Sequence, residues 1–178
     1  MSVKLSRIWS MPNKSTFLIP PIHSLINRYF DSNSLWVDPF SGWNSPAQIT
    51  NDMNEKMNSQ YHLCALEFLK GLDSESVRGV FYDPPYSARQ AREHYNSLSL
   101  DHLKPKNYTQ YWSQCKNEIA RIVKPGGIVI CCGWNSIGLG KIRNFSMIET
   151  LLVPHGGTRY DTIVTVETKK YIWANNER

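Results

Sequence analysis

The sequence predicts an α/β domain with a mostly parallel sheet and acidic residues at the strand ends. Two apolar runs, Leu35–Val37 and Val77–Tyr82, indicate buried strands, and each is followed by an aspartate and a proline. A helical pattern over Tyr108–Lys124 then leads through Pro-Gly-Gly into the apolar run Ile128–Cys132, which is typical of a central parallel strand. Because ligands bind at the carboxyl ends of the strands in open α/β sheets, the two aspartates mark a candidate site.

The composition is that of one globular domain. The chain has 178 residues, of which 41% are hydrophobic and 20% are charged. It has no apolar run of membrane-spanning length and no secretory signal, so we expect a cytoplasmic protein without membrane contact. The net charge of +5 favours a polyanionic partner only weakly, because the basic residues are spread along the chain.

The cysteines argue against a metal site. None of the four shows Cys-x-x-Cys spacing, and two of them are adjacent within a predicted strand. We therefore expect reduced thiols in the core of a cytosolic protein, at Cys64, Cys115, Cys131 and Cys132.

The sharpest motif is Asp83-Pro84-Pro85-Tyr86, directly after the apolar run Val77–Tyr82. Neither proline has an N–H to donate to a strand ladder, so the strand must end here. The prolines also stiffen the backbone and drive the preceding aspartate towards an extended conformation. The result is a rigid corner with one carboxylate, fixed carbonyl directions and one aromatic face. A plain turn with a packed tyrosine is the structural alternative.

This corner resembles motif IV of the amino-group DNA methyltransferases, in which Asp-Pro-Pro-Tyr marks the adenine-N6 enzymes. An exocyclic base amine is a poor nucleophile because its lone pair is delocalised into the ring. Acceptors at Asp83 and the Pro84 carbonyl would hold the amine hydrogens, localise the lone pair and stabilise the positive charge that develops on nitrogen. Tyr86 would stack on a base turned out of its helix. The resemblance implies catalytic roles for Asp83, Pro84, Pro85 and Tyr86.

A second strand end, Asp38-Pro39-Phe40-Ser41-Gly42, is similar to motif I of the same enzymes, Asp-Pro-Phe-x-Gly-x-Gly. The resemblance places Phe40 near the methionine part of the cofactor S-adenosyl-L-methionine, and Gly42 lets the backbone approach that cofactor closely. The second glycine of the motif is missing, because Trp43-Asn44 follows instead. We therefore expect the next helix to be shortened or absent.

The short strand Gln48–Asp52 also ends in an acid. In nucleoside-binding α/β folds, an acid at the end of the second strand accepts hydrogen bonds from ribose hydroxyls, which is the role expected for Asp52. The pair Asn51-Asp52 also suits a turn or a cap for the segment that starts at Asn54. The two roles are compatible.

Two further segments resemble walls of the cofactor pocket. The extended piece and amphipathic helix over Phe17–Phe30 are similar to motif X, and Tyr61–Leu72 is similar to motif III. In the latter, a brief strand is expected to lead into a helix that packs Leu63, Leu66 and Leu69 inward.

Cys64 departs from the family pattern. Many relatives place an aspartate here to hold the adenine amine, so that contact is lost or passes to backbone groups near Ala65 and Leu66. In total, the resemblance assigns the cofactor to Phe17, Asp38, Phe40, Ser41, Gly42, Asp52, Ala65 and Leu66.

The expected substrate contacts follow the catalytic corner and the final hairpin. Arg89 and Arg92 lie in a polar helical segment after Ser87 and could meet phosphates, although a solvated helical turn is equally consistent. Runs over Ser146–Pro154 and Thr162–Thr168, joined by a loop with two glycines, indicate an antiparallel hairpin. In relatives, that loop carries motif VIII, which contacts the flipped base; a plain hairpin tip is the alternative. The substrate candidates are Ser87, Arg89, Arg92, His155 and Arg159.

The resemblance covers residues 17–168, in the order motif X, I, II, III and IV, then helix, strand and hairpin, with Gln48–Asp52 in the place of motif II. It implies a Rossmann-like class I S-adenosylmethionine-dependent methyltransferase with a mostly parallel seven-stranded sheet and a C-terminal antiparallel hairpin. The activity that it implies is methyl transfer to adenine N6 in DNA. The enzyme would be of compact phage or mobile-element type and would act in a bacterial or phage-infected cell.

Two alternative functions stay open. One is methylation of an RNA base amine, because related pockets carry a similar corner. The other is a non-catalytic, cofactor-binding subunit, which the departures in motif I and at Cys64 favour. No stretch of the chain is left over for a separate target-recognition domain, so we expect a single methyltransferase domain over 1–178 with weak sequence selectivity. A homodimer is also an open alternative.

Overall fold

The computed structural model describes residues 2–157 and 160–171, which form a seven-stranded sheet with helices on both faces. The strands are β1 (Lys4–Arg7), β2 (Trp36–Asp38), β3 (Ile49–Thr50), β4 (Val77–Tyr82), β5 (Val123–Gly133), β6 (Phe145–Val153) and β7 (Thr162–Lys169). The helices are α1 (Pro20–Tyr29), α2 (Ala65–Lys70), α3 (Ala88–Ser97) and α4 (Tyr108–Ile122), with short 3-10 helices at Thr16–Leu18, Asp101–Leu103 and Lys141–Arg143. The predicted α/β class is confirmed.

The sheet runs in the order β1-β6-β7-β5-β4-β2-β3. Strand β7 is antiparallel to both of its neighbours, and all other neighbouring strands are parallel. The C-terminal hairpin is therefore confirmed, with its second strand inserted beside β5. Because β2, β3 and β4 run in the same direction, their carboxyl ends meet at one edge of the sheet.

Each face of the sheet carries its own apolar core. On one face, α1 packs its buried Ile22, Leu25 and Ile26 against the sheet. On the other face, α2 and α4 contribute Phe68 and Ile119 among other buried side chains. Burial of apolar surface on both faces is what a central parallel sheet requires, so the strands have the continuous apolar character seen in the sequence.

A stack of aromatic rings joins the segment before α1 to β4. A Cβ at Gly79 would lie 2.5 Å from the indole of Trp36, so glycine is needed for β4 to pair with β2 at this point. The indole stacks on Phe81 with ring centroids 4.8 Å apart, and Phe81 contacts Phe17 at 5.3 Å. These contacts hold the N-terminal segment against the strand that leads to Asp83.

The boundaries of two elements differ from the sequence prediction. Helix α4 ends at Ile122 and not at Lys124, because Val123 already pairs with β4 as the first residue of β5. The strand expected near Tyr61 is reduced to one isolated bridge with Asn51. The helix expected to be shortened or absent after motif I is absent, since the chain passes from β2 to β3 without one.

The inward packing predicted for three leucines holds for one of them. Leu63 is 45% exposed, Leu66 is half-buried and Leu69 is fully buried. The physical reason is that α2 begins only at Ala65, so Leu63 precedes the helix and lies outside its periodic face. Phe68 provides the second buried side chain of this turn.

The cysteines are all free thiols. Cys115, Cys131 and Cys132 are buried, and Cys64 is half-buried. Within residues 2–157 and 160–171, no cluster of three or more histidine, cysteine, aspartate or glutamate side chains is arranged to hold a metal ion. No helix in that part of the chain combines the length and apolarity needed to cross a membrane.

Candidate active site

A cavity of about 340 Å³ opens at the carboxyl ends of β2, β3 and β4, and we call it the strand-end cavity. Its volume lies at the lower end of the range of small-molecule sites, roughly 300–1,000 Å³. The strand ends contribute Phe40, Asn51, Asp52, Asp83 and Pro84 to its lining. The motif I, II and IV segments, distant in sequence, therefore share one cavity.

Asp83 lies at the end of β4, in the wall of this cavity, where Tyr86 holds it. The Tyr86 hydroxyl donates a hydrogen bond of 2.6 Å to Oδ1 of Asp83. Burial raises the pKa of the Asp83 carboxyl, while hydrogen bonds with Tyr86 and Thr16 act in the opposite direction. Burial also raises the pKa of the Tyr86 phenol, so this group stays protonated and donates. The corner is thus a fixed acceptor whose proton affinity is greater than that of a solvated carboxylate.

Asp38, predicted to bind the cofactor, lies beneath the cavity. Its side chain is fully buried and is not part of the cavity lining. Oδ1 accepts a hydrogen bond of 2.9 Å from the N–H of Phe40, which shapes the motif I turn. Burial raises the pKa of Asp38 to about 7, with hydrogen bonds from Ser45 and Phe40 opposing that shift. The contribution of Asp38 to the site is therefore support for the loop that carries Phe40.

Asp52 lies in the cavity lining and also organises the two loops around it. Its Oδ2 accepts a hydrogen bond of 3.1 Å from the N–H of Gly42, and its Oδ1 accepts one of 2.9 Å from the N–H of Asn54. Gly42 has a φ of +52°, a conformation that favours glycine. Each carboxylate oxygen has a second lone pair, so Asp52 can still accept a hydrogen bond from a ligand.

Asn51, predicted from the sequence to end a short strand and to form part of a turn or cap, connects three loops of the site. Its side chain is fully buried, and its Nδ2 donates hydrogen bonds of 3.1 Å to the carbonyls of Pro39 and Leu63. Its Oδ1 accepts a hydrogen bond of 2.9 Å from the N–H of Leu63. One amide therefore joins the motif I, II and III loops. An asparagine before an acid at a strand end was the only sequence signal for this role.

The other predicted cofactor residues are divided between the cavity and the core. Ala65 lines the cavity, whereas Leu66 packs against the apolar core near α2. Ser41 is buried, with its hydroxyl 2.7 Å from the hydroxyl of Ser59. Phe17 is buried against Phe81, and its neighbour Thr16 is the residue of that segment that lines the cavity.

Helices α3 and α4 supply an aromatic wall that the sequence analysis did not assign to the site. Tyr95, Tyr108, Tyr111 and Trp112 line the strand-end cavity, and the rings of Tyr108 and Trp112 lie 5.8 Å apart. The hydroxyl of Tyr111 lies 3.1 Å from the sulfur of Cys64. The sequence placed Tyr111 and Trp112 only within the predicted helix over Tyr108–Lys124, because helical periodicity does not distinguish a core from a cavity wall.

The predicted substrate residues near α3 lie outside the cavity lining. Ser87 is the N-cap of α3 and accepts a hydrogen bond of 3.2 Å from the N–H of Gln90. Arg89 is exposed and forms an ion pair of 2.8 Å with Glu93, and Arg92 is exposed as well. Their expected phosphate contacts stay predictions.

His155 lies at the end of β6, and both of its ring nitrogens are engaged. Nδ1 lies 2.9 Å from the carbonyl of Ser10 and Nε2 lies 2.9 Å from the hydroxyl of Thr162. The histidine is buried and ties the hairpin to the N-terminal segment, while one of its faces lines a neighbouring cavity. Arg159, the other candidate of this loop, lies outside the described residues.

Comparisons with known proteins concern the fold. No protein-family model matches the chain, and no curated protein matches it in sequence. TrmN from Thermus thermophilus is similar in structure, with a TM-score of 0.51 and 15% identity over 85% of this chain and 49% of TrmN. This chain thus spans about half the length of TrmN.

Two further solved structures are matched over a larger share of their own chains. The 1,6-didemethyltoxoflavin-N1-methyltransferase from Burkholderia thailandensis, solved with 1,6-didemethyltoxoflavin and S-adenosylhomocysteine bound, has a TM-score of 0.54 and 11% identity over 85% of this chain and 76% of that one. The methyltransferase bound to the Trm112 activator in a Haloferax volcanii complex has a TM-score of 0.51. Its identity is 12%, over 86% of this chain and 90% of that one. The chain therefore has the Rossmann-like fold of the class I methyltransferases.

Proposed function

We propose that this chain is an S-adenosyl-L-methionine-dependent methyltransferase that acts on the N6 amine of adenine in DNA. The observation that carries the proposal is the position of the Asp83-Pro84-Pro85-Tyr86 corner, which shares one cavity with Asp52 and Phe40. The fold and the ligand of the Burkholderia thailandensis neighbour support the cofactor. The resemblance of the corner to the adenine-N6 enzymes supports the acceptor.

The residues of the strand-end cavity fit the cofactor. Asp52 offers carboxylate oxygens for ribose hydroxyls, and Phe40, Leu63 and Ala65 offer apolar surface beside it. The aromatic wall of α3 and α4 completes an enclosure that suits a purine. When bound, the cofactor supplies an electrophilic methyl group on a sulfonium centre.

The chain's own contribution is to prepare the acceptor amine. The Asp83 carboxylate and the Pro84 carbonyl accept the two amine hydrogens, which turns the nitrogen lone pair out of conjugation with the ring. These acceptors also stabilise the positive charge that grows on nitrogen. Tyr86 keeps Asp83 in place through its 2.6 Å hydrogen bond and offers its ring to the base. Rigid placement of these groups by two prolines lowers the entropic cost of alignment.

The experiment is mass spectrometry of nucleosides released from DNA and RNA after incubation with the protein and isotope-labelled S-adenosyl-L-methionine. We expect labelled N6-methyladenine from DNA. Asp83→Ala should abolish transfer and retain S-adenosylhomocysteine binding by calorimetry, whereas Asp73→Ala, which removes an exposed acid, should change neither. If the label is found only in RNA, the acceptor is an RNA base and not DNA. If the protein does not bind S-adenosylhomocysteine, the proposal is overturned.

A further inference from the structure

A second cavity, of about 350 Å³, adjoins the strand-end cavity on the far side of Tyr86. The two cavities share Thr16, Tyr86 and Gln90 in their linings. The second cavity is otherwise lined by residues of the N-terminal segment, of the loop after β5 and of the β6–β7 hairpin. None of these other residues lines the strand-end cavity, so the second cavity offers a surface that is separate from it.

Three aromatic rings run from the catalytic corner to the surface along this second cavity, and we call them the aromatic run. Tyr86 meets Trp134 edge to face with ring centroids 5.8 Å apart, and Trp134 meets Tyr160 at 4.4 Å. Tyr86 and Trp134 are half-buried, whereas Tyr160 is 72% exposed. A large apolar ring left exposed next to two others is a stacking surface for a planar partner.

The wall behind the aromatic run is held rigidly. The hydrogen bonds of His155 to Ser10 and Thr162 join the start of β7 to the N-terminal segment, so the cavity has a preformed shape. Arg89, exposed on α3, lies near Tyr160 and carries a cation that an ion pair with Glu93 orients. A cation beside an exposed ring matches the alternation of phosphate and base along a nucleic-acid strand.

We infer that the acceptor is an unpaired nucleic-acid strand, whose base next to the target stacks on the exposed ring of Tyr160 at the end of the aromatic run. This inference rests on the proposed function and specifies its substrate class. In a duplex, the neighbouring base is already paired and stacked, so it cannot cover Tyr160 without an additional cost of opening the helix. In a single strand that cost is absent, and each base–aromatic stack adds to binding.

The test measures binding separately from methyl transfer. Fluorescence anisotropy with a labelled single-stranded adenine-containing oligodeoxynucleotide, its duplex and the matching RNA strand gives affinities in the presence of S-adenosylhomocysteine. We expect the single DNA strand to bind more tightly than the duplex, and Tyr160→Ala to weaken single-strand binding about tenfold. Tyr160→Phe, which keeps the ring, should bind as the unchanged protein does. Ile142→Ala removes another strongly exposed apolar side chain, 91% exposed, and should have no effect.

Intrinsic tryptophan fluorescence distinguishes loss of stacking from a general structural effect of Tyr160→Ala. Stacking near Trp134 should quench part of the intrinsic tryptophan fluorescence when the single strand binds, and Trp134→Phe should remove that quenching while leaving a ring in place. The RNA arm distinguishes the two kinds of unpaired strand, because only a contact with the 2′-hydroxyl would favour RNA.

Each outcome bears on one proposal. Equal binding of duplex and single strand, together with equal effects of Tyr160→Ala on both, overturns the inference and leaves methyl transfer intact. Single-strand binding that depends on Tyr160, without methyl transfer to DNA or RNA, keeps the strand site and overturns the proposed function.

Discussion

The hydroxyl of Tyr86 lies 2.6 Å from Oδ1 of Asp83, and it is the donor in this hydrogen bond. This hydrogen bond therefore fixes the ring of Tyr86 and the carboxylate of Asp83 relative to each other. Tyr86 also separates the strand-end cavity from the second cavity, because it lines both of them. Under the proposed function, a base that stacks on this ring lies next to the carboxylate that accepts a hydrogen bond from its amine.

Removal of that hydrogen bond should shift the acidic limb of the activity profile. Burial raises the pKa of Asp83, and the hydrogen bond from Tyr86 lowers it in part. Tyr86→Phe should therefore raise the pKa of Asp83 further. Because the charged form of Asp83 is the acceptor, activity is lost as pH falls through this pKa, and the loss should begin at higher pH in the variant. The measurement is kcat/KM against pH for both proteins; an unchanged or lower midpoint would contradict the role of Asp83.

Loss of the Asp52 carboxylate should weaken cofactor binding more than it weakens the stability of the fold. Asp52→Ala removes a charged acceptor from the cavity, and a charged hydrogen bond is worth about 1.5–3 kcal/mol. We expect affinity for S-adenosylhomocysteine to fall about tenfold to a hundredfold in titration calorimetry. Glu55→Ala, in the same loop but exposed, is the matched control. If Asp52→Ala loses thermal stability but keeps its affinity for S-adenosylhomocysteine, the role of Asp52 is only to hold the loops at Gly42 and Asn54.

Asn51→Ala should destabilise the protein strongly. The substitution leaves the carbonyls of Pro39 and Leu63 and one N–H without their side-chain partner in a buried place. Unsatisfied buried polar groups cost about 1–3 kcal/mol each, with partial relief by relaxation, so we expect a loss of about 3 kcal/mol. Urea denaturation measures it. Asn44→Ala removes an exposed amide that bonds to Ser15 and should cost under about 0.5 kcal/mol. Similar losses of stability for both variants would contradict the proposal that the Asn51 amide joins the three loops.

Asp38 should make the free energy of unfolding depend on pH. Its pKa is raised from 3.8 when solvated to about 7 in the folded protein. A group whose pKa is raised by folding favours the folded state below its unfolded pKa, and that contribution is lost as pH rises towards the folded value. The unchanged protein should therefore lose on the order of 4 kcal/mol relative to Asp38→Asn between about pH 4 and 7.

Urea denaturation of both proteins across this range measures the difference, since Asp83 and all other groups are common to them. Asp73→Asn, at an exposed site, is the control and should follow the unchanged protein. Parallel pH profiles for Asp38→Asn and the unchanged protein would show that Asp38 is not held in a place that disfavours its charge.

The sequence by itself determined the sheet and the chemistry of its edge. Apolar runs that stop at Asp38-Pro39 and Asp83-Pro84 are local signals, because these prolines have no N–H to donate to a strand ladder. The two glycines in the loop before β7 act in the same local way, so the antiparallel hairpin was predictable. Its insertion beside β5 is a long-range pairing. The missing second glycine after Gly42 predicted that the next helix is shortened or absent, and no helix follows β2.

Only the tertiary structure decided which side chains face a ligand. Asp38 and Asp52 end neighbouring strands, yet one is buried under its loop and the other lines the cavity. The amide of Asn51, the aromatic wall of α3 and α4, and the partition of two cavities by Tyr86 depend on contacts between segments far apart in the chain. Hydrogen-bond partners and the choice between core and cavity wall arise from such long-range packing, which local patterns of residue types do not encode.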